Sequence, residues 1–195
     1  MKYWWVNQNQ TYKAEVNGGF LWSPKTRADG ARNQFYENMQ DVAVGDVVFS
    51  FCDTRIKAIG VATAKAISAA KPDFGAVGVT WSNEGWLVEV EYLEFSNPIR
   101  PKDHMAVLRP TLPGKYSPLQ STGDGLQSVY LAEVPDAMAS ALIGLIGADY
   151  ESKLASLVGR ISPDEEAPDI EQEKALLERT DIGATQKQQL VNARR

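Results

Sequence analysis

Hydrophobic positions in the first half of the chain come in short runs. The segments KYWWVN (2–7), FLWS (20–23), DVVFSFC (46–52), AIGVATAKAI (58–67) and WLVEVEYLEF (86–95) are rich in β-branched and aromatic residues. Asn17-Gly18-Gly19, Ala28-Asp29-Gly30 and Val44-Gly45-Asp46 punctuate them, so each run is predicted to be a strand. In the last run Val88, Val90 and Tyr92 alternate with Glu89, Glu91 and Glu94, while Leu87 and Leu93 blur the ends. That is the period of a strand with one buried face, at an edge or in a barrel. Between the second and third runs, ARNQFYENMQ (31–40) predicts a short helix with Phe35 and Met39 on one side. Segments 101–108, 135–146 and 149–160 also read as helices. The second of these starts at proline with Asp136 in its first turn, which suits the helix dipole. The fold class expected is α+β, a small curved β-sheet or β-barrel with surrounding helices.

The pattern changes at the end. SPDEEAPD (162–169) is acidic, proline-containing and poor in apolar residues, which marks a linker. The stretch 170–195 has a helical pattern interrupted at 180–183 and no core of its own, so the end reads as cut. The expected organisation is a domain over 1–160 and an acidic linker with a helical segment over 161–195.

The chain's 195 residues, 44% of them hydrophobic, suffice for one full domain with a core. Cys52 is the only cysteine, so no intramolecular disulfide forms, and no charged start is followed by an apolar run. A cytoplasmic location is expected, and no membrane association: the longest apolar stretch, 137–148, falls short of the roughly 18 residues a bilayer span needs. The net charge of -5 is uneven, with +1 over residues 1–120 and -6 over 121–195. A near-neutral front portion can still gather Lys25, Arg27, Arg32, Arg55 and Lys57 around one mouth to grip phosphate.

Residues 1–65 concentrate the side chains that a flipped nucleobase needs: aromatic faces above and below, and fixed donors and acceptors along its edge. Trp4, Trp5, Trp22, Phe35, Tyr36, Phe49 and Phe51 can supply faces, although aromatics in strands also build cores. Asn7, Ser23, Asn33, Ser50, Cys52 and Asp53 can supply edge contacts. For a cytosine, a carboxylate such as Asp53 suits the N4 amino donor, with Asn7 and Asn33 completing the edge. An equally natural role for Asp53 is to shape a turn before Thr54. In the loop 115–130, Gln120 and Gln127 can fill the gap a flipped base leaves and Lys115 or Arg109 can hold phosphate; an ordinary solvated loop has the same composition. The single histidine, His104, has no metal-ligand cluster around it, and Cys52 has no basic partner near it in sequence. There is no GxxxxGK[ST] loop and no Cys/His zinc spacing, so a nucleotide hydrolase or deaminase has no support. No cofactor is expected.

At WWVNQN, FLWSPK, ARNQFYENM and GDVVFSFCDTRIKAIGVA the chain resembles the EVE domains of the PUA-like superfamily, relatives of the YTH readers of methylated RNA; the resemblance covers about residues 1–145. It implies a PUA-like barrel and a modified-base pocket. Trp22 matches the first tryptophan of the YTH cage, followed by Ser23, and Tyr36 comes from the helix that faces the same end of the barrel. The spacing points to Trp81 as second wall and allows Trp86. ERTDIGATQKQQLVNARR (178–195) resembles the segment preceding the HNH nuclease in modification-dependent restriction endonucleases. In such proteins the EVE module senses 5-methylcytosine or 5-hydroxymethylcytosine in double-stranded DNA and the HNH module cuts. One histidine cannot make an HNH site, so this chain alone is expected to be the reader and not an enzyme. The base-binding set is then Trp22, Ser23, Tyr36, Asp53, Trp81, Asn7, Asn33 and Ser50, and the backbone set Lys25, Arg27, Arg32 and Arg55. The second reading is an RNA-binding reader of a modified base. Residues 170–190 can also pair helices in a homodimer.

Overall fold

The computed structural model describes residues 1–126 and 128–162, and Met1–Ile161 make one compact unit. Gln127, and the acidic linker and helical tail from residue 163 onward, all singled out above, lie outside the described residues.

Seven strands form one mixed sheet: β1 (Tyr3–Asn7), β2 (Phe20–Pro24), β3 (Val47–Cys52), β4 (Arg55–Ala62), β5 (Ile67–Ala70), β6 (Glu84–Ile99) and β7 (Leu131–Val134). Their order is β2-β6-β4-β3-β1-β7, with β5 also paired to β6. Strands β1 and β3 run parallel, and every other pair is antiparallel. The fold class is α+β, as expected from the sequence.

Alternation along the strands separates two cores. Trp5, Val47, Phe49, Ile59 and Val61 pack on one side, under Met138 and Leu142 of α4 (Asp136–Ile146) and Leu154 and Leu157 of α5 (Ala148–Ile161). Trp4, Val6, Val48, Ala62, Val88 and Val90 pack on the other, with Leu21, Met39 and Leu131. Strand β6 is longer than expected at 16 residues, and it is central, lying between β2 and β4. Its pattern blurs at Leu93 for a physical reason. Up to Tyr92 its even positions face the second core; beyond, Leu93 and Phe95 face the first, where Phe95 meets Tyr150 of α5 edge-on at 4.8 Å.

The run 58–67 is not one strand, because the sheet breaks between Ala62 and Ile67. The helix expected over 31–40 is shorter: α2 spans Gln34–Glu37, starting where the Asn33 side chain accepts from the Phe35 amide at 2.9 Å, and a 3-10 turn (Asn38–Asp41) follows. Met39 therefore enters the core while Phe35 meets Tyr116 edge-on at 5.9 Å. Segment 101–108 is a 3-10 turn (Pro101–His104) followed by the single turn α3 (Met105–Leu108). One helix was not expected at all. In α1 (Tyr12–Gly18), Gly19 at φ 70 closes the helix, its amide reaching the carbonyls of Glu15 and Val16. The Asn17-Gly18-Gly19 signal is thus a helix C-cap and not a strand-to-strand turn.

Candidate functional site: a cleft with stacked tryptophans and a buried carboxylate

A cleft of about 720 Å³ opens where the end of β1, the start of α1, β2, α2 and the loop before β7 converge. Its size falls in the range of small-molecule sites. Asn7, Gln8, Thr11, Glu15, Trp22, Arg27, Asn33, Tyr36, Trp81 and Tyr130 are among the residues that line it.

The aromatic wall is set by β2 and the segment leading to β6. Gly85, paired with Pro24, has no room for a side chain: a Cβ there would stand 2.3 Å from the Trp22 ring, so the indole lies flat on the β6 backbone. Trp81 faces it with ring centroids 6.4 Å apart and planes only 21° off parallel. Phe74 closes the side, 5.9 Å from Trp22 and 6.1 Å from Trp81. A ring held between two others stands about 3.5 Å from each, or about 7 Å in all. Trp22 is 1% exposed, so a base reaches its face only when Trp81 or Phe74 moves aside. Tyr36 adds a further face, edge-on to Tyr130 at 6.4 Å. Burial raises the Tyr36 phenol above its ordinary pKa, with the charge of Arg27 opposing.

The floor is a buried polar chain. Ser50 donates to the Gln8 side-chain oxygen, and Gln8 Nε2 donates to Glu15 Oε2 at 2.6 Å. The Tyr130 hydroxyl donates to the same Oε2 at 2.9 Å and accepts from the Trp22 amide at 2.9 Å. Glu15 is fully buried, and its burial, which penalises the charge, pushes the carboxyl up to about 7 against the opposing pull of Thr11, Gln8, Tyr130 and the Trp22 amide. Both donors fall on one oxygen. Among the described residues, Glu15 Oε1 and Asn7 Oδ1 have no hydrogen-bond partner, and Asn7 Nδ2 is held by the Leu126 carbonyl at 3.2 Å. Buried acceptors left in this state are rare and costly.

The structure thus brings Asn7, Trp22, Asn33, Tyr36, Trp81 and Arg27 to one cleft and leaves the other candidates elsewhere. Asp53 is not at the cleft. With φ 49 it makes, with Thr54 at φ 64, the two-residue turn between Cys52 and Arg55, and its carboxylate pairs with Lys57 at 2.6 Å. That ion pair and the Cys52 thiol hold the Asp53 carboxyl below its ordinary range. Ser50 lies behind the lining, reaching the cleft only through Gln8. Ser23 follows Trp22 along β2 and so points to the strand's other side, where its buried Oγ has no partner among the described residues. Trp86 also lies off the cleft, with Lys25 Nζ 4.6 Å from its ring. Arg32 pairs with Glu37, and Arg55 is exposed at the start of β4, beyond the Asp53 turn. Lys57 is engaged by Asp53. Gln8, Glu15 and Tyr130 were not among the expected site residues. The signs of the Glu15 helix were weak: Thr11 at the N-cap position makes no side-chain cap bond, and Gly18-Gly19, which end this helix of about two turns, read equally as a turn between strands.

No family model and no curated protein matches this chain. Solved structures of similar fold exist. A Pseudomonas putida protein aligns over 74% of this chain and 99% of its own, at 13% identity and a TM-score of 0.48. The YTH domain of the Zygosaccharomyces rouxii MRB1 protein, solved in complex with N6-methyladenosine RNA, aligns over 75% of this chain and 87% of its own, at 8% identity and 0.47. Human THYN1, solved in complex with DNA containing 5-methylcytosine, aligns over 76% of this chain and 99% of its own, at 13% identity and 0.45. Likeness at this level carries no inference about ligand or activity.

Proposed function

We propose that this chain is a nucleic-acid reader that takes a modified cytosine, 5-methylcytosine or 5-hydroxymethylcytosine, flipped from double-stranded DNA, into the cleft between Trp22 and Trp81. The observation that carries the reading is that near-parallel indole pair, 6.4 Å apart, beside a buried polar floor. Extrahelical bases are held by stacking on their faces and by fixed polar groups along their edge, and this cleft offers both. Arg27, exposed at the wall and only loosely paired with Asp29 at 3.7 Å, is the cation we assign to the phosphate beside the flipped nucleotide. The chain binds and does not cut; the resemblance of 178–195 to the segment before an HNH nuclease supports coupling to such a domain in a longer parent protein, where reading would license cleavage.

The test is competition binding at fixed salt, using matched duplexes with cytosine, 5-methylcytosine, 5-hydroxymethylcytosine or N6-methyladenine, and one single-stranded RNA. Tighter binding of a modified-cytosine duplex is expected. One methyl contributes only about 1–3 kcal/mol, so the preference over cytosine is expected to be tens of fold rather than thousands. Preference for the RNA, or equal binding of all duplexes, overturns the reading.

A further inference from the structure

Resting on that reading, we infer that Glu15 selects the base by its exocyclic amino group: Glu15 Oε1 and Asn7 Oδ1 take the two hydrogens of a cytosine N4 amine, so the cleft admits an amino-bearing pyrimidine and refuses its keto counterpart. Glu15 and Asn7 both line the cleft, and Glu15 Oε1 and Asn7 Oδ1, both buried, have no hydrogen-bond partner among the described residues, with the Thr11 hydroxyl and the Trp22 amide near enough to the carboxylate to lower its pKa. Glu15 Oε2 is saturated by Gln8 and Tyr130, which leaves Oε1 as the carboxylate's open valence. A primary amine supplies two donors at one nitrogen. Cytosine and its 5-substituted forms carry one; thymine, with the same 5-methyl group as 5-methylcytosine, presents an oxygen there and would set acceptor against acceptor. An N6-methylated adenine retains a single amino hydrogen and leaves one of the two acceptors orphaned.

The carboxylate accepts only when ionised. A neutral Glu15 carries its proton on Oε1, because Oε2 already receives two donors, and then opposes an incoming amine with a donor of its own. With the carboxyl raised to about 7, affinity for the amino-bearing base is expected to rise with pH through neutrality. The groups packed around Glu15 do not titrate in that interval. Tyr130 and Tyr92 are held well above the ordinary tyrosine pKa, chiefly by burial. Gln8 is a neutral amide, and Thr11, whose hydroxyl lies 3.4 Å from the Gln8 carbonyl and also lowers the Glu15 pKa, is a neutral alcohol.

The experiment compares one duplex carrying, opposite guanine, 5-methylcytosine, cytosine, thymine or 5-methyl-2-pyrimidinone, which lacks the amino group. Thymine and the pyrimidinone pair less well with guanine, which favours flipping, so weaker binding of either cannot arise in the duplex. The wild-type protein is expected to bind 5-methylcytosine roughly ten- to a hundredfold tighter than the pyrimidinone, the worth of hydrogen bonds to a buried charged group, with the gap widening as pH rises. In Glu15→Gln the amide oxygen stays on the Gln8 and Tyr130 donors and the NH₂ replaces Oε1. The gap is expected to vanish, thymine to become the better ligand, and the pH dependence to flatten; a merely structural Glu15 would weaken all four duplexes alike. Preference for 5-methylcytosine over cytosine with equal binding of the pyrimidinone overturns this inference and leaves the reading standing. Equal binding of cytosine, 5-methylcytosine and, added as a fifth duplex, 5-hydroxymethylcytosine overturns the reading and the inference with it. The wild-type arm decides the matter even where the variant does not fold.

Discussion

Among the described residues two carboxylates are buried, Asp46 and Glu15, and they are finished differently. Asp46, 1% exposed before β3, receives the Lys2 amide on Oδ1 at 2.7 Å and both the Trp4 indole N–H and the Ala43 amide on Oδ2 at 2.9 Å. Both of its oxygens are used, and it ties the chain's start to the turn before β3. Glu15, equally buried at the cleft, receives two donors on one oxygen and none on the other among the described residues. A carboxylate kept for the fold is saturated by the fold. One kept for a ligand has an atom to spare, and the fold bears its cost.

The comparison is broken most directly by removing each acid's role in turn. Asp46→Ala leaves one buried donor, the Trp4 indole N–H, and two partly buried amides without an acceptor, at up to about 1–3 kcal/mol each, so urea unfolding is expected to show a loss of several kcal/mol. Whatever remains folded keeps its base preference; a selective loss of preference would mean that Asp46 serves the ligand after all. Trp22→Ala empties the cleft's wall. The lost burial is expected to cost about 3–5 kcal/mol, and the modified-base preference to disappear while weak, salt-dependent DNA binding persists. An equal loss on modified and unmodified DNA would show that Trp22 only holds the fold.

Stability against pH marks Glu15 by its sign. Glu15 has a folded pKa of about 7 against an ordinary 4.5, so between these values the folded state holds a proton that the unfolded chain gives up. Stability from this group is therefore intact below pH 4.5 and falls as pH rises to 7, by roughly 3 kcal/mol in all. Carboxylates with depressed pKa values, such as Asp53, give the opposite slope. Unfolding of the wild type and Glu15→Gln at pH 5 and pH 8 isolates the term: the wild type should lose stability relative to the variant at the higher pH. Parallel behaviour would mean that Glu15 is ionised in the fold without penalty. Tyr130→Phe, which removes a donor from Glu15 and an acceptor from the Trp22 amide, is expected to cost about 1–3 kcal/mol and to move the midpoint of the wild type's pH-dependent binding upward.

How much of this was legible in the chain divides along the same line. The strands were, because β-branched and aromatic runs bounded by glycine and asparagine report their own period. Trp22, Tyr36 and Trp81 were legible as candidates through the resemblance to the YTH cage, since aromatics in strands otherwise build cores. Glu15 was hidden: its helix has seven residues and no side-chain N-cap bond, and its C-cap glycines look like a hairpin turn. Sequence also offers no measure of which acid is saturated. Asp46 and Glu15 each stand beside an aromatic strand, and what distinguishes them is the placement of donors that come from Lys2, Trp4 and Ala43 in one case and Gln8 and Tyr130 in the other. Asp53 misled for the converse reason, since an acid after VVFSFC fits both a pocket and a turn until the backbone is seen.

That third acid yields the smallest effect and sharpens the comparison from the surface. Asp53 and Thr54 both have positive φ, the signature of a two-residue turn that favours Asn-Gly or Asp-Gly, and Cys52 pairs with Arg55 across it. Asp53→Gly keeps the one bond from this residue to the cleft rim, its amide to Asn9 Oδ1 at 3.0 Å, because that donor is backbone. It loses the exposed ion pair to Lys57, of a kind whose worth is at most about 1 kcal/mol, and gains a residue at ease in the left-handed region. Thermal unfolding should therefore show a change within about 0.5 kcal/mol, and base discrimination should be unchanged. If Asp53→Gly instead abolishes discrimination while Glu15→Gln preserves it, the polar edge is read from the hairpin and not from the cleft floor, and the contrast between saturated and unsaturated acids has been drawn at the wrong residue.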